Sequence, residues 1–421
     1  MAKLKDMLDM DMRGKVVLVR MDHNVVKKGK IKDTMRIDAT IPTLLHIYKK
    51  GGLPVLMSHV GRPFDKKTGE FTISDEDSTL PILKYLEQKL QLRGLAPVYE
   101  ERAPIVNVSP IAAAIDELKL GNCDFVYLPN TRWFRGEEAK DDSANAMAVS
   151  LAGLADIFIN DAFGSWQAHC STVGLAGQLP SAAGLLMQKE VGFLSKVFAP
   201  DRPLLAVVAG SKFDTKIGPL SSLIKLADHL LLGGVIYNAY LCVKYDISIK
   251  GVSEEDLIQA RKFIQEAGDY ASRIVEIPAI IESDSIEDNN MWRVRHLADL
   301  RPGTALNYVL DAAPESFKDP SLLEIFAGAK TIFVNAVMGY IALFGEGTKA
   351  MYQLIDQNVE ALKLFGGGDT IQDFKELLPG VFAKAANNPH YYFFTGGGAI
   401  LDAIQQGSAY GMKPVQALLG D

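Results

Sequence analysis

Phe365-Gly366-Gly367-Gly368-Asp369-Thr370 and Thr395-Gly396-Gly397-Gly398-Ala399 each place three glycines at the end of an apolar run. Leu362–Phe365 and Tyr391–Phe394 read as buried strands, and helix-like periodicity follows each triplet. Strand, bare backbone, then helix is the order that leaves unshielded N–H groups at a helix N-terminus, where a phosphate can bind. A pair of tight turns explains either triplet alone equally well. Two triplets in the same setting favour a phosphate site.

Outward from the triplets, short apolar runs alternate with helical periodicity along the whole chain, which argues a largely parallel α/β architecture. Strand-like runs are Lys15–Arg20, Leu53–Ser58, Phe125–Leu128, Asp156–Ile159, Leu204–Ala209, Leu230–Leu232, Ile274–Ile277 and Thr331–Val334, with the two already quoted. The pattern predicts helices over Ser78–Leu90, Ser143–Leu154, Glu254–Ala267, Thr348–Leu362 and Thr370–Lys384. About ten strands exceed what one doubly wound sheet holds, so two domains are expected. Each is a largely parallel sheet flanked by helices. The boundary falls at a long helix, Ala182–Phe198, followed by Ala199-Pro200-Asp201-Arg202-Pro203. No internal repeat or low-complexity tract occurs.

The chain has 421 residues, 48% of them hydrophobic, enough for two real cores. A formal charge of −7 argues against nucleic-acid binding, so any anion site must be built locally. Cys123, Cys170 and Cys242 have no paired spacing, which excludes a disulfide framework or a zinc site. Met1 to Met12 is charged and lacks the apolar centre of a secretory signal. Leu226–Val243, the most apolar long stretch, is too polar to span a bilayer. A soluble, cytoplasmic, monomeric protein with small-molecule partners is the expectation.

Each of the first four strands ends in residues able to bind an anion or orient a polar ligand: Arg20, Asp22 and Asn24; His59, Gly61 and Arg62; Asn130 and Arg132; Asn160 and Asp161. Ligands of open parallel sheets bind outside the carboxyl ends of the strands. Arg36, Arg62 and Arg132 are thus expected in one crevice, where planar guanidinium forks suit phosphate or carboxylate. His59 and His169 are weaker signals, since neither has a metal-ligand neighbour at useful spacing. After Leu204–Ala209 comes Gly210-Ser211-Lys212-Phe213-Asp214-Thr215-Lys216, where two lysines four apart can neutralise a polyphosphate. No Walker loop and no G-x-G-x-x-G fingerprint occurs, which disfavours a Rossmann dinucleotide site. At Asp369, helix capping and a Mg²⁺–nucleotide contact both remain open.

At these positions the chain resembles the phosphoglycerate kinases. Val19-Arg20-Met21-Asp22-His23-Asn24-Val25 and Met57-Ser58-His59-Val60-Gly61-Arg62-Pro63 are similar to the family's substrate loops. Ile159–Gly164, Leu179–Gly184, Gly210–Lys212 and the two triplet segments follow in the family's order. The resemblance implies two domains joined by a hinge helix: residues 1–185 with 407–421 binding phosphoglycerate, and residues 186–406 binding Mg·ADP or Mg·ATP. It implies that Asp22, Asn24, Arg36, His59, Arg62, Arg132 and His169 hold the glycerate ligand, and that Arg36 and Lys212 stabilise the moving phosphoryl group. Gly210, Lys212, Lys216, Gly233, Gly234, Asn335, Gly366, Gly367, Gly368, Asp369 and Thr370 would contact the nucleotide. Asp369 would reach Mg²⁺ through it, and the backbone of Gly396, Gly397 and Gly398 would face the phosphoryl group. The implied activity is phosphoryl transfer between 1,3-bisphosphoglycerate and ADP, giving 3-phosphoglycerate and ATP.

The chain departs from the family pattern at four places. Ser165-Trp166-Gln167-Ala168-His169 replaces a His-Arg-Ala-His segment and lacks its arginine. Pro129 stands where a glutamate precedes the asparagine of the third substrate loop. Asn335-Ala336-Val337 replaces Asn-Gly-Pro, and Ala342 falls where a ribose-binding glutamate is expected; Glu346 would substitute only if the loop were rearranged. Two rivals therefore stand beside the kinase: a catalytically weak regulatory paralogue that binds nucleotide, and a same-fold kinase acting on another small carboxylate.

Overall fold

Val16–Met21 (β1) is buried at every position, so apolar layers must cover its sheet on both faces. Val17, Val19 and Met21 enter one core with Ile37 and Leu86, while Val16 and Leu18 enter the other with Ile115 and Leu151. The two-residue period of a strand produces that division and sends Arg20 to the second face. A computed structural model describes residues 3–64, 71–100, 104–211 and 216–420. The chain forms two units, Met1–Val191 with Tyr410–Asp421, and Gly192–Ala409.

In the first unit, β1 is followed by α1 (Met35–Lys49), β2 (Leu53–Met57), α2 (Leu80–Leu90) and β3 (Gly94–Leu95). Next come α3 (Ser109–Lys119), β4 (Phe125–Tyr127), α4 (Asp142–Ala152), β5 (Ile157–Asp161), β6 (Ser181–Ala183) and α5 (Leu185–Phe198). The six strands are ordered β3-β4-β2-β1-β5-β6 and pair in parallel throughout. In register, Arg20 lies between Met57 of β2 and Asn160 of β5. His23 is wholly buried behind this sheet edge. Thr40 gives its hydroxyl proton to Ile37 O at 2.8 Å, so it accepts from His23 Nε2 at 2.8 Å; Nδ1 then takes the Tyr127 hydroxyl, also at 2.8 Å. Burial, then Arg20, push the His23 imidazole down to about 3, which keeps it neutral.

The second unit contains β7 (Leu204–Gly210), α6 (Ile217–Leu226), β8 (His229–Gly233), α7 (Gly234–Tyr245), α8 (Glu254–Ala267) and β9 (Ile274–Val275). Then follow β10 (Ala279–Ser283), β11 (Trp292–His296), β12 (Tyr308–Ala312), α9 (Pro320–Gly328), β13 (Thr331–Asn335) and α10 (Glu346–Gln357). The last elements are β14 (Leu362–Phe365), α11 (Gly368–Leu377), α12 (Pro379–Ala385), β15 (Tyr391–Phe393) and α13 (Gly397–Gln405). Its main sheet is parallel, with order β9-β8-β7-β13-β14-β15.

Three features differ from the expectation. A small antiparallel sheet, β11-β10-β12, flanks the main one. It was hidden because β11 is charged and largely exposed, and because β10 buries Glu282. Burial opposes that charge, yet bonds from Arg293, the Asn307 N–H and Arg295 pull its carboxyl down to about 2. Helix α10 stops at Gln357 rather than Leu362, because the Asn358 amide turns to donate to Phe326 O and Ala329 O, both at 2.8 Å. The helix expected over Thr370–Lys384 breaks at Leu378, and Pro379, lacking an N–H, starts a new one. Among the described residues no helix is long and apolar enough to cross a membrane.

Candidate functional site

In the first unit the loops after β1, β2 and β4 knit into one cluster. Asn130 Oδ1 accepts the Val60 and Arg132 N–H groups at 3.0 and 3.1 Å, and its Nδ2 donates to Val60 O at 2.6 Å. Gly61 is held from two sides: its N–H donates to Asn24 Oδ1 at 3.0 Å, and its carbonyl accepts from Arg132 at 2.5 Å. The other arm of Arg132, Nε, donates to Glu138 Oε1 at 2.6 Å, and His169 Nε2 lies 3.8 Å from that same oxygen.

Arg20 is fully buried, and an unpaired guanidinium there would cost several kcal/mol. All three of its nitrogens are engaged: Nε to Ser171 Oγ at 2.9 Å, one terminal nitrogen to Met21 O, the other to His59 Nδ1 at 2.6 Å and Ser165 Oγ at 3.3 Å. Glu137, also buried, fixes Ser171 by accepting its N–H at 3.0 Å and its hydroxyl at 2.6 Å. Burial lowers the Arg20 pKa, while Glu137 and Asp22 raise it. Because a guanidinium only donates, His59 Nδ1 must accept, and the ring proton sits on Nε2. Burial holds His59 well below its ordinary pKa, and Arg20, Arg132, His169 and Arg36 push in the same direction. A neutral imidazole surrounded by cationic side chains marks a place where an anion is stabilised.

Arg36 is less committed. Its terminal nitrogen lies 3.5 Å from Asp22 Oδ2, and that buried oxygen receives no hydrogen bond. Arg62 is exposed and follows Gly61 in the chain.

In the second unit the strand order reverses between β7 and β13, the switch point at which open α/β sheets bind ligands. Gly210 ends β7 and Asn335 ends β13. Lys216 joins them: Nζ donates to Ala209 O at 2.5 Å and to Asn335 Oδ1 at 2.7 Å. Burial pushes its ammonium down to about 8, with Asp369 pulling the other way. Asn335 Nδ2 donates to Gly366 O at 2.8 Å, which ties β13 to the first triplet.

Both triplets open helices that have no side-chain cap, so their first N–H groups remain available. Gly367 has φ of +113°, a conformation closed to other residues. A Cβ on Gly397 would stand 2.6 Å from Gly367 Cα, so the second triplet lies directly against the first. A cavity of about 550 Å³ collects Gly210, Lys216, Gly233, Gly234, Asn335, Gly367, Gly368, Asp369 and Thr370 along its wall. Asp373 lines it too, its carboxyl raised to about 6 by burial and by Asp369 and Glu376. Among the described residues no group of three His, Cys, Asp or Glu side chains could hold a metal. Asp369 beside the glycine N–H groups instead fits a small divalent cation that arrives with phosphate oxygens and keeps its own water.

The rearranged loop after Asn335 is held by two anchors. Thr348 Oγ1 accepts the Met338 and Gly339 N–H groups at 3.0 and 3.2 Å, and Asp311 accepts those of Ala312 and Gly347, both at 2.9 Å. Burial raises the Asp311 carboxyl to about 7. Glu346 pairs with Lys349 at 3.4 Å on α10 and is absent from the cavity wall, which Ala342 lines. Lys212 lies outside the described residues. Ser165, within the segment that lacks the family arginine, accepts a bond from Arg20.

Asp311, Ser171 and Glu137 carried no sequence signal. Asp311 sits on a strand of the unforeseen antiparallel sheet, and Ser171, in the short helical turn Cys170–Gly174, meets Glu137 from a distant part of the chain. The family model described as phosphoglycerate kinase matches residues 7–407. The chain is 32% identical over 412 residues to a phosphoglycerate kinase of Roseiflexus sp. (strain RS-1), covering 96% of this chain and 97% of that one. It is 32% identical over 418 residues to one of Pseudothermotoga lettingae, covering 97% of each. The solved phosphoglycerate kinase of Coxiella burnetii superposes with a TM-score of 0.78 at 26% identity over 99% of both chains. That of Pyrococcus horikoshii OT3 gives 0.76 at 22% over 98% of both, a likeness of fold. With matches over nearly its whole length, the chain belongs to the phosphoglycerate kinase family.

Proposed function

We propose that the two clusters divide the work of the family's reaction, phosphoryl transfer between 1,3-bisphosphoglycerate and ADP. The first unit holds the glycerate, and the second holds the nucleotide. The orphaned buried oxygen of Asp22 accepts the glycerate hydroxyl, a donor that the protein itself does not supply. Arg36 and Arg132 turn their uncommitted N–H groups to the phosphate and carboxylate, and Arg62 and Asn24 border them. The His59 Nε2 proton completes the donors, with His169 beside it. Arg20 touches none of these ligands; it orients His59 and is a positioning residue.

In the second unit, glycine N–H groups at the starts of α11 and α13, Lys216, Asn335 and Thr370 hold the nucleotide phosphates, and Asp369 would hold the magnesium they carry. That ion withdraws charge from the phosphates when bound. An oxygen of the ADP β-phosphate attacks the phosphorus of the acyl phosphate, the bond from phosphorus to the carboxyl oxygen breaks, and 3-phosphoglycerate leaves as a carboxylate. Both attacking and leaving groups are anions, so no general base is required. The protein's contribution is alignment and neutralisation of charge by Arg36 and the lysines, Lys212 included. A cytoplasmic, monomeric enzyme fits this chemistry.

The observation that carries this reading is the buried Asp22 oxygen that receives no hydrogen bond and lies 3.5 Å from Arg36, in a chain whose other unit builds a glycine-lined cavity. A coupled assay of ATP consumption with 3-phosphoglycerate tests it. Turnover is expected. Calorimetric binding of ADP without turnover on 3-phosphoglycerate would refute it.

A further inference from the structure

The polar end of the second unit's cavity is built from Lys216, Asn335, Gly367 and Gly368, yet the wall around it is acidic. Among the described residues that line it, Lys216 is the sole cation, against Asp311, Asp369 and Asp373. Asp311 is occupied, since each of its oxygens accepts a backbone N–H. The other two share α11, four residues apart and so on one face of the helix.

A local role explains Asp369, which stands in the first turn of α11, where the helix dipole favours an acid. Asp373 lies beyond that turn. It is half-buried and forms no hydrogen bond or ion pair with a described residue. Burial, Asp369 and Glu376 all raise its carboxyl, to about 6, and no cation offsets them. At neutral pH it is still ionised. An unpaired carboxylate on the wall of a phosphate cavity repels the phosphate unless the phosphate brings a cation with it.

Resting on the nucleotide reading above, we infer that Asp373 makes this cavity select metal-charged nucleotide: it repels a bare polyphosphate and attracts the divalent cation of a complexed one. A magnesium ion held by phosphate oxygens keeps several waters, and a second carboxylate acts on it through those waters without joining its ligands. Discrimination of this kind comes as much from repelling the wrong ligand as from contacts to the right one. Lys216, Asn335 and the glycine N–H groups supply the contacts, and Asp373 supplies the repulsion.

Calorimetry at pH 7.5 tests this with ADP plus Mg²⁺ and with ADP plus a chelator, in wild type, Asp373→Asn and Glu376→Gln. Glu376 is exposed on α11 and off the cavity wall. The ratio of the two affinities should fall by about fivefold or more in Asp373→Asn, the loss of one close like-charge pair, and hold in Glu376→Gln. Bare ADP should tighten most. By reciprocity, Mn²⁺ titrated into the protein–ADP complex and followed by water-proton relaxation should weaken by the same factor. Asp373→Ser is the second variant should asparagine prevent folding. A ratio unmoved in Asp373→Asn, or one that moves equally in Glu376→Gln, overturns the assignment and leaves the nucleotide reading standing. Failure of wild type to bind ADP under either condition overturns both. A melting temperature that drops while the ratio holds marks a structural role and likewise overturns the assignment.

Discussion

Lys216 makes nucleotide affinity depend on pH in a window where ADP itself no longer titrates. Its Nζ gives two protons, to Ala209 O and Asn335 Oδ1, and one is left for a phosphate oxygen. Burial has pushed the ammonium to about 8. A bound polyphosphate holds the charged form, so above pH 8 each complex must first recover a proton from solvent. Affinity then falls by a factor approaching ten per pH unit, about 1.4 kcal/mol. Between pH 7.5 and 9.5 the fall is roughly twenty-five-fold. Phosphate ionisation near pH 6 is complete below this window.

Calorimetry in two buffers of different ionisation enthalpy measures both quantities. At pH 8.5 about three-quarters of a proton should be taken up per ADP bound, following the linkage of proton and ligand. Lys216→Arg, whose guanidinium stays charged, should bind without uptake and with a flat profile. Lys216→Met should bind weakly and also without slope. The ligand-free protein should show the opposite trend. A folded pKa below the unfolded value means that the unfolded chain holds more protons between pH 8 and 10.5, so stability rises with pH there. A flat ADP affinity from pH 7.5 to 9.5, with no proton uptake, would refute the role given to Lys216.

Arg36→Met should weaken 3-phosphoglycerate binding by about 1.5–3 kcal/mol, the worth of a charge-assisted bond, and leave ADP binding unchanged; equal losses for both ligands in separate titrations would count against a glycerate role. His23, neutral at about 3 in the fold against 6.5 when unfolded, should make the first unit acid-labile. The unfolded chain binds the extra proton, so stability falls as pH drops below 6.5, by roughly 5 kcal/mol in all. Urea midpoints at pH 7 and 4.5 should therefore separate more in wild type than in His23→Gln; equal separations would exclude this histidine as the cause. Gly397→Ala drives a methyl to 2.6 Å from Gly367 Cα and should cost about 1–3 kcal/mol together with nucleotide affinity. Gly380→Ala, on a helix with open space around it, should stabilise by up to about 1 kcal/mol, and urea midpoints at pH 7 measure both glycine variants.

How much of this was legible in the sequence depended on whether a residue's partners were local. The parallel strands were readable because burial on both faces demands unbroken apolar runs such as Leu204–Ala209. The triplets were readable because only glycine tolerates the Gly367 conformation and the approach of Gly397. Strand ends could be read as places for polar residues, and there Arg36 lies 3.5 Å from Asp22 while Arg132 binds the Gly61 carbonyl. What stayed hidden was the support behind them. Ser171, in the short helical turn Cys170–Gly174, and Glu137 hold Arg20 from segments far from it in the chain, and Asp311 pins Gly347 from the edge of a sheet whose opposite edge, β11, has an exposed, charged surface.

The segment lacking the family arginine shows why local reading was not enough there. By sequence, the change removes a positive charge from a phosphate cluster. In the fold, Ser165 accepts from Arg20, a guanidinium that His59 and Ser171 also hold in place. The cation count falls, while Ser165 gives the guanidinium that orients His59 a further partner, and a pre-oriented His59 forfeits less entropy when an anion arrives. Ser165→Ala should therefore loosen the His59–Arg20 pair and raise the KM for 3-phosphoglycerate by roughly the few-fold expected of one neutral hydrogen bond, with kcat little changed. A fall in kcat at unchanged KM would instead place this serine's effect on the transferring group, and Arg20 would have to be counted among the residues that touch it.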